Sequence, residues 1–178
     1  MLGDSISAAY GINTTEGWVS LLQARLAELG YRYQVVNASV SGDTSRTGLN
    51  RLDDALQKHQ PAMIIIALGG NDGLRGLPIS ETESSLSTII DKSQQAGLAV
   101  LLAGVRLPPN YGAYYNAQFA EVFQRLAKKY KVTLVTKILD GVADNPALMQ
   151  ADRIHPTAEG QQLVLENIWV RLQELLKK

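Results

Sequence analysis

Ser5, in Gly3-Asp4-Ser5, and the acid–histidine pair in Asp152-Arg153-Ile154-His155-Pro156 are the residues whose types best fit joint chemistry. An acid and a histidine three residues apart can share one loop, with the carboxylate orienting the imidazole. A serine brought there from a distant segment completes a Ser–His–Asp device, which is defined by geometry and roles rather than by order along the chain. The hydroxyl is a weak nucleophile until a neighbouring base takes its proton. The chain has 2 histidines, His59 and His155. His59 falls near the C-terminal end of a predicted helix, where it can meet free carbonyls, which leaves His155 as the candidate base. Each piece also has a plainer reading. Asp4 and Ser5 both suit a helix N-cap, and Asp152 with Pro156 suits a loop entering the last helix.

Acyl transfer also needs donors aimed at the charge that develops on the attacked carbonyl oxygen. Gly42 offers a backbone N–H with no side chain to block approach, Asn71 offers a side-chain amide, and the Ser5 N–H is a third donor. One such donor is typically worth about 2.7–4 kcal/mol of transition-state stabilisation. Alone, Gly42 is a turn glycine and Asn71 a polar turn residue. Together, separated segments each supply a required part.

The elements that must position these residues alternate between short apolar runs and longer amphipathic ones. Helices are expected over Trp18 to Leu29 (ending at Gly30), Thr47 to His59 (stopped before Pro61) and Ala113 to Tyr130. Two more are expected from a capping box at Ser80-Glu81-Thr82-Glu83 to Ala96 and from about Thr157 to the end. Strands are expected at Gln34 to Ala38, Met63 to Leu68, Leu98 to Ala103 and Val132 to Val135. Met63 to Leu68 is apolar on both faces, as in the middle of a parallel sheet. This alternation predicts a three-layer α/β/α sandwich around a central, mainly parallel sheet. Ligands of such folds bind beyond the carboxyl ends of the strands. Ser39 to Gly42, Gly69 to Asp72 and Arg106 to Gly112 fall there, and Gly3-Asp4-Ser5 joins them if the residues just before it end a strand.

With 178 residues, one domain spanning the chain is expected, large enough to bury a core. The 17 basic and 17 acidic residues are scattered and cancel, which argues against nucleic acid or an anionic membrane surface as the main partner. There is no cysteine, so disulfides, thiolate nucleophiles and cysteine metal sites are excluded. Two distant histidines make a weak ligand set, and neither a metal nor another cofactor is expected. The longest apolar run, Ala62 to Leu68, is far short of a membrane span.

Gly3-Asp4-Ser5, Gly42 in Asn37-Ala38-Ser39-Val40-Ser41-Gly42-Asp43-Thr44, Asn71 in Gly69-Gly70-Asn71-Asp72, and Asp152-x-x-His155 resemble the conserved blocks of the SGNH (GDSL) hydrolases. More narrowly, Leu68 to Gly76 and Arg106 to Gly112 resemble the bacterial multifunctional thioesterase I / protease I / lysophospholipase group and its arylesterase relatives. The resemblance covers nearly the whole chain, and it implies a flavodoxin-like SGNH hydrolase fold. It also implies Ser5 as nucleophile, His155 as base, Asp152 as orienter, and Ser5, Gly42 and Asn71 as the oxyanion hole. Gly73 to Pro78 matches a mobile loop that closes over the acyl chain, and Leu74, Leu107, Pro108 and Tyr111 match substrate-binding positions. The implied activity is hydrolysis of small acyl esters or thioesters, in the periplasm or outside the cell; a monomer is expected. One departure stands out. The family has an apolar first strand of several residues running into Gly-Asp-Ser, where only Met1 and Leu2 stand here, so a chain clipped at its front, together with any signal peptide, is expected.

Two other functions fit parts of this pattern. One is a carbohydrate acetylesterase of the same superfamily, disfavoured by the Arg106 to Gly112 segment and by the lack of an aromatic carbohydrate platform. The other is a noncatalytic acyl- or lipid-binding module that keeps the fold without turnover.

Overall fold

The computed structural model describes residues 1–177. Its sheet contains β1 (Leu2–Gly3), β2 (Met63–Ala67), β3 (Ala99–Ala103) and β4 (Thr133–Val135), all parallel and adjacent in chain order. The helices are α1 (Trp18–Glu28), α2 (Ser45–Asn50), α3 (Leu52–His59), α4 (Gly70–Leu74), α5 (Ile79–Gln95), α6 (Ala113–Tyr130) and α7 (Ala158–Leu172).

Alternation along the strands explains the layers. In β2, Ile64 and Ile66 join a cluster with Leu52 of α3, Leu86 and Ile90 of α5, and Phe119 and Phe123 of α6. Ile65 and Ala67 face the other way, into Trp18, Leu22 and Leu26 of α1 and Val164 and Ile168 of α7. Successive residues of a strand point to opposite faces, so an unbroken apolar run is what a sheet covered on both sides requires. Each fully buried large side chain contributes about 1.5–3 kcal/mol. The three-layer α/β/α fold is therefore present.

Several local expectations are corrected. The helix expected over Thr47 to His59 is two helices, α2 and α3, that meet at Arg51. Thr44 caps α2 through a reciprocal bond with Thr47. The capping box at Ser80 does not form: α5 begins at Ile79 directly after Pro78, which places Ser80 inside the first turn with no side-chain cap. Leu29 lies beyond the end of α1 and is exposed. Gln34 to Ala38, expected as a strand, is not a ladder strand. It reaches Met1, just before β1, through the Ala38 N–H on the Met1 carbonyl, and Val40 continues the pattern with its N–H on the Gly3 carbonyl of β1.

β1 is short but lies next to β2 in register, Leu2 beside Ile66 and Gly3 beside Ala67. It delivers Asp4 and Ser5 to the carboxyl end of the sheet. A cavity of about 320 Å³ opens at the opposite end, lined in part by Val35, Val36, Leu56, Met63 and Ile64. None of Ser5, Gly42, Asn71, Asp152 or His155 lines it.

Candidate active site

Five segments converge above the carboxyl ends of β1, β2 and β3. Ser5 follows β1 in a turn closed by the Ala8 N–H on the Asp4 carbonyl. His155 comes from the loop before α7, a helix capped by the Thr157 hydroxyl, which accepts from the Gly160 N–H. The loop is held as a narrow hairpin by the Gln150 N–H on the His155 carbonyl (2.8 Å) and the Thr157 N–H on the Leu148 carbonyl (2.8 Å). Within it, Arg153 adopts a left-handed backbone, φ 56°. That conformation costs a non-glycine residue about 1 kcal/mol, and it turns the chain so that the acid and imidazole meet.

The distances are those of a relay. His155 Nε2 lies 2.8 Å from Ser5 Oγ, and Nδ1 lies 2.6 Å from Asp152 Oδ2. The other carboxylate oxygen of Asp152 accepts the N–H groups of Ile154 (2.9 Å) and His155 (3.0 Å). Partial burial alone would raise the Asp152 carboxyl. The bond from the His155 ring and the two backbone N–H bonds outweigh it and hold the group down at about 2. Its side chain is 38% exposed, so this matters for keeping the acid ionised rather than for stability.

The oxyanion candidates sit on pinned segments. Gly42 has φ +86°, a conformation open to glycine. Among the described residues no acceptor is paired with its N–H or with that of Ser5. Asn71 spends one amide N–H on the Asp43 carbonyl at 2.8 Å, which fixes the amide plane and leaves its second N–H to point elsewhere. Asp43 is held by the Arg51 guanidinium, whose Nη1 also donates to the Ala38 carbonyl at 2.9 Å. Beyond Gly42, the Ser45 N–H and hydroxyl both donate to the buried Asp72 carboxylate, the N–H at 2.8 Å. The Gly42 turn is thereby fastened at both ends. Local sequence patterns gave no sign of the Asp43–Arg51 and Ser45–Asp72 ties, which join residues 8 and 27 positions apart.

The four apolar positions also come together. Tyr111 donates its hydroxyl to the Leu74 carbonyl at 2.7 Å. Leu107 packs beneath Gly73, where a Cβ would overlap it, and is only 3% exposed, so it backs the patch from below. Pro108 is half-buried beside it and accepts the Asn116 amide at its carbonyl, 3.1 Å away. The first part of Gly73 to Pro78 is helical, in α4. Arg75 donates to the Gly42 carbonyl at 2.9 Å, and Tyr115 donates to that of Leu77 at 3.3 Å. His59 stands at the end of α3, beside the distant cavity and away from the triad.

Asp4, whose place in the sequence suggests only a helix N-cap, is also a perturbed titratable group. It is 4% exposed, and its Oδ1 accepts the Ile6 N–H at 3.1 Å. Burial pushes its carboxyl up from 3.8 to about 6, against the bond from Ile6 and the nearby His155, and with Asp43 and Asp72 adding to the rise. Between those pH values the folded chain holds a proton that the unfolded chain has released. This group's contribution to stability is therefore full below about pH 4 and lost as the pH rises through about 6. A carboxyl carried from 3.8 to about 6 corresponds to a contribution on the order of 3 kcal/mol. We expect Asp4→Asn, which keeps the acceptor for Ile6, to lose less stability than the parent between pH 4 and 7 in urea denaturation. Identical pH dependence of the two proteins would refute this.

The fold and these contacts define an α/β/α protein with a serine, an imidazole and a carboxylate in hydrogen-bonded series at the carboxyl ends of its strands. The model of the GDSL-like Lipase/Acylhydrolase family matches residues 1–163, and the chain belongs to that family. Esterase TesA of Pseudomonas aeruginosa is 49% identical over 176 residues, covering 99% of this chain and 88% of that protein. Thioesterase 1/protease 1/lysophospholipase L1 of Escherichia coli is 40% identical, covering 99% and 83%. The arylesterase of Vibrio mimicus is also 40% identical, covering 99% and 87%. Among solved structures, a crystal structure of TesA superposes with a TM-score of 0.96 at 49% identity, covering 98% of this chain and 97% of that one. The psychrotrophic esterase EstA from Pseudoalteromonas sp., inhibited by monoethylphosphonate, gives 0.93 at 36% identity, covering 98% and 95%.

Proposed function

We propose that this chain is a single-domain serine esterase that hydrolyses carboxylic ester or thioester bonds of acyl substrates through an acyl-enzyme. The observation that carries the reading is the 2.8 Å contact between Ser5 Oγ and His155 Nε2, continued to Asp152 at 2.6 Å. His155 Nε2 takes the Ser5 proton as Oγ bonds to the acyl carbon. The carbonyl electron pair moves onto oxygen, where the N–H groups of Ser5 and Gly42 and the free amide N–H of Asn71 hold it. The pair returns to carbon, the bond to the leaving alcohol or thiol breaks, and His155 gives that group the proton. Water then repeats the sequence, releasing the acid and restoring Ser5.

Leu74, Pro108 and Tyr111, backed by Leu107, form the apolar side of this site, and each acyl CH₂ buried there is worth about 0.8 kcal/mol. The names of the relatives (esterase, thioesterase, lysophospholipase, arylesterase) share an acyl group and differ in the leaving group. That breadth fits a site that grips the acyl side. We also propose that the protein acts as a monomer, and its resemblance to this family supports a periplasmic or secreted location. No helix among the described residues is long and apolar enough to cross a membrane.

The test is active-site labelling. A fluorophosphonate probe followed by peptide mass spectrometry should place the adduct on Ser5, together with turnover of p-nitrophenyl esters. Fatty-acid binding with neither adduct nor turnover would identify a binding module instead.

A further inference from the structure

We propose that Tyr10 is a positioning residue for His155, presented to the imidazole by a turn that Gln150 holds in place. Three observations carry this. The Tyr10 ring packs against the His155 ring with centroids 4.5 Å apart and planes tilted by 38°, although 52% of the tyrosine is exposed. The turn that delivers it is left-handed on both sides, Ala9 at φ 58° and Gly11 at φ 77°, an arrangement unfavourable for alanine. The Gln150 amide nitrogen bridges the two segments, donating to the Tyr10 carbonyl at 2.8 Å and to the Pro156 carbonyl, next to His155, at 2.9 Å. Glycine suits position 11 because its φ of 77° is left-handed and because a Cβ there would displace the Gln150 amide from these bonds.

The consequence is mechanical. Asp152 fixes one edge of the imidazole and Ser5 meets the other, but neither restrains rotation of the ring out of their common plane. A ring pressed on one face does. Gln161, from α7, supplies a similar tie further down: its amide reaches the Ile6 carbonyl at 3.3 Å while its oxygen accepts the Trp18 N–H at 3.0 Å. The serine-bearing segment is thus fastened to both flanks of the histidine, and Tyr10 occupies the face between them.

This rests on the acyl-transfer reading of Ser5 and His155, and the experiment separates the two. Purified parent, Tyr10→Phe, Tyr10→Ala and Gln150→Met proteins are compared for kcat and KM on p-nitrophenyl acetate and for the rate of fluorophosphonate labelling. Tyr10→Ala should lower kcat and the labelling rate together, by about 10-fold, with KM within twofold, because only alignment is lost. Tyr10→Phe, which keeps the face and removes the hydroxyl, should stay within twofold of the parent. Gln150→Met should fall in the same direction, and combining it with Tyr10→Ala should add little, since both act through one ring. Tyr10→Ala within twofold of the parent overturns the proposal, as does Tyr10→Phe as impaired as Tyr10→Ala. Should Gln150→Met fail to fold, the Tyr10 pair decides alone, because that side chain is half exposed and outside the core. A parent protein with neither turnover nor labelling sinks the acyl-transfer reading itself.

Discussion

Ser5→Ala should reduce kcat on a short p-nitrophenyl ester on the order of 10⁵- to 10⁶-fold, the scale on which removing a triad serine acts, and leave the fold standing. The size follows from what Oγ does. It sits 2.8 Å from His155 Nε2 and is the atom that bonds to the acyl carbon, so alanine removes the covalent route outright. What remains is stabilisation of direct water attack by the oxyanion donors and by substrate binding. The cost to folding is small because the hydroxyl's partner is the half-buried His155 ring, and one such bond contributes about 1 kcal/mol. Activity and thermal unfolding should therefore separate, with kcat collapsing while the melting transition moves by a few degrees. Undiminished hydrolysis by the variant would sink the assignment of Ser5.

Asp152→Asn should cost about 10⁴-fold in kcat, and here the geometry dictates how. The Asp152 oxygen that does not face the ring accepts two backbone N–H groups, from Ile154 and His155. An asparagine in that place must keep its carbonyl oxygen there, which turns its NH₂ toward His155 Nδ1. That nitrogen then has to be the acceptor, so the ring proton moves to Nε2, the atom that must accept the Ser5 proton. The side chain keeps its size and its backbone bonds, yet the imidazole is locked in the wrong tautomer. Because the parent carboxyl is held at about 2, no neutral form of Asp152 contributes at ordinary pH. A variant within tenfold of the parent in kcat/KM near neutral pH would show that Asp152 does not orient the ring.

Legibility varied with the range of the interaction. Met63 to Leu68 and Ala113 to Tyr130 could be read from the chain because a buried strand and an amphipathic helix each write their period locally, and α6 occupies Ala113–Tyr130. Arg51 could not. It sits in an unbroken helical pattern, but its guanidinium reaches Asp43 and the Ala38 carbonyl, and the helix is interrupted there. Ser80 carried the letters of a capping box, whereas Pro78 had already set the start of α5. The candidate site divides the same way. Ser5, Gly42, Asn71, Asp152 and His155 stand in short motifs whose chemistry is readable residue by residue. The ties that fix them, Ser45 on Asp72 and Tyr10 on His155, exist only once distant segments meet.

The contact between Ser5 and His155 closes across 150 residues, whereas β2, β3 and β4 are joined by successive crossovers between neighbours in the chain. Loop-closure entropy grows with the length enclosed, and contacts between sequence-distant residues slow the search for the native state. During refolding, β2, β3 and β4 with the α5–α6 layer can assemble before β1, α1 and α7 dock. Hydrolytic activity needs that long-range contact, so after dilution from denaturant we expect it to return later than the helical circular dichroism signal; activity regained ahead of helix would overturn this order.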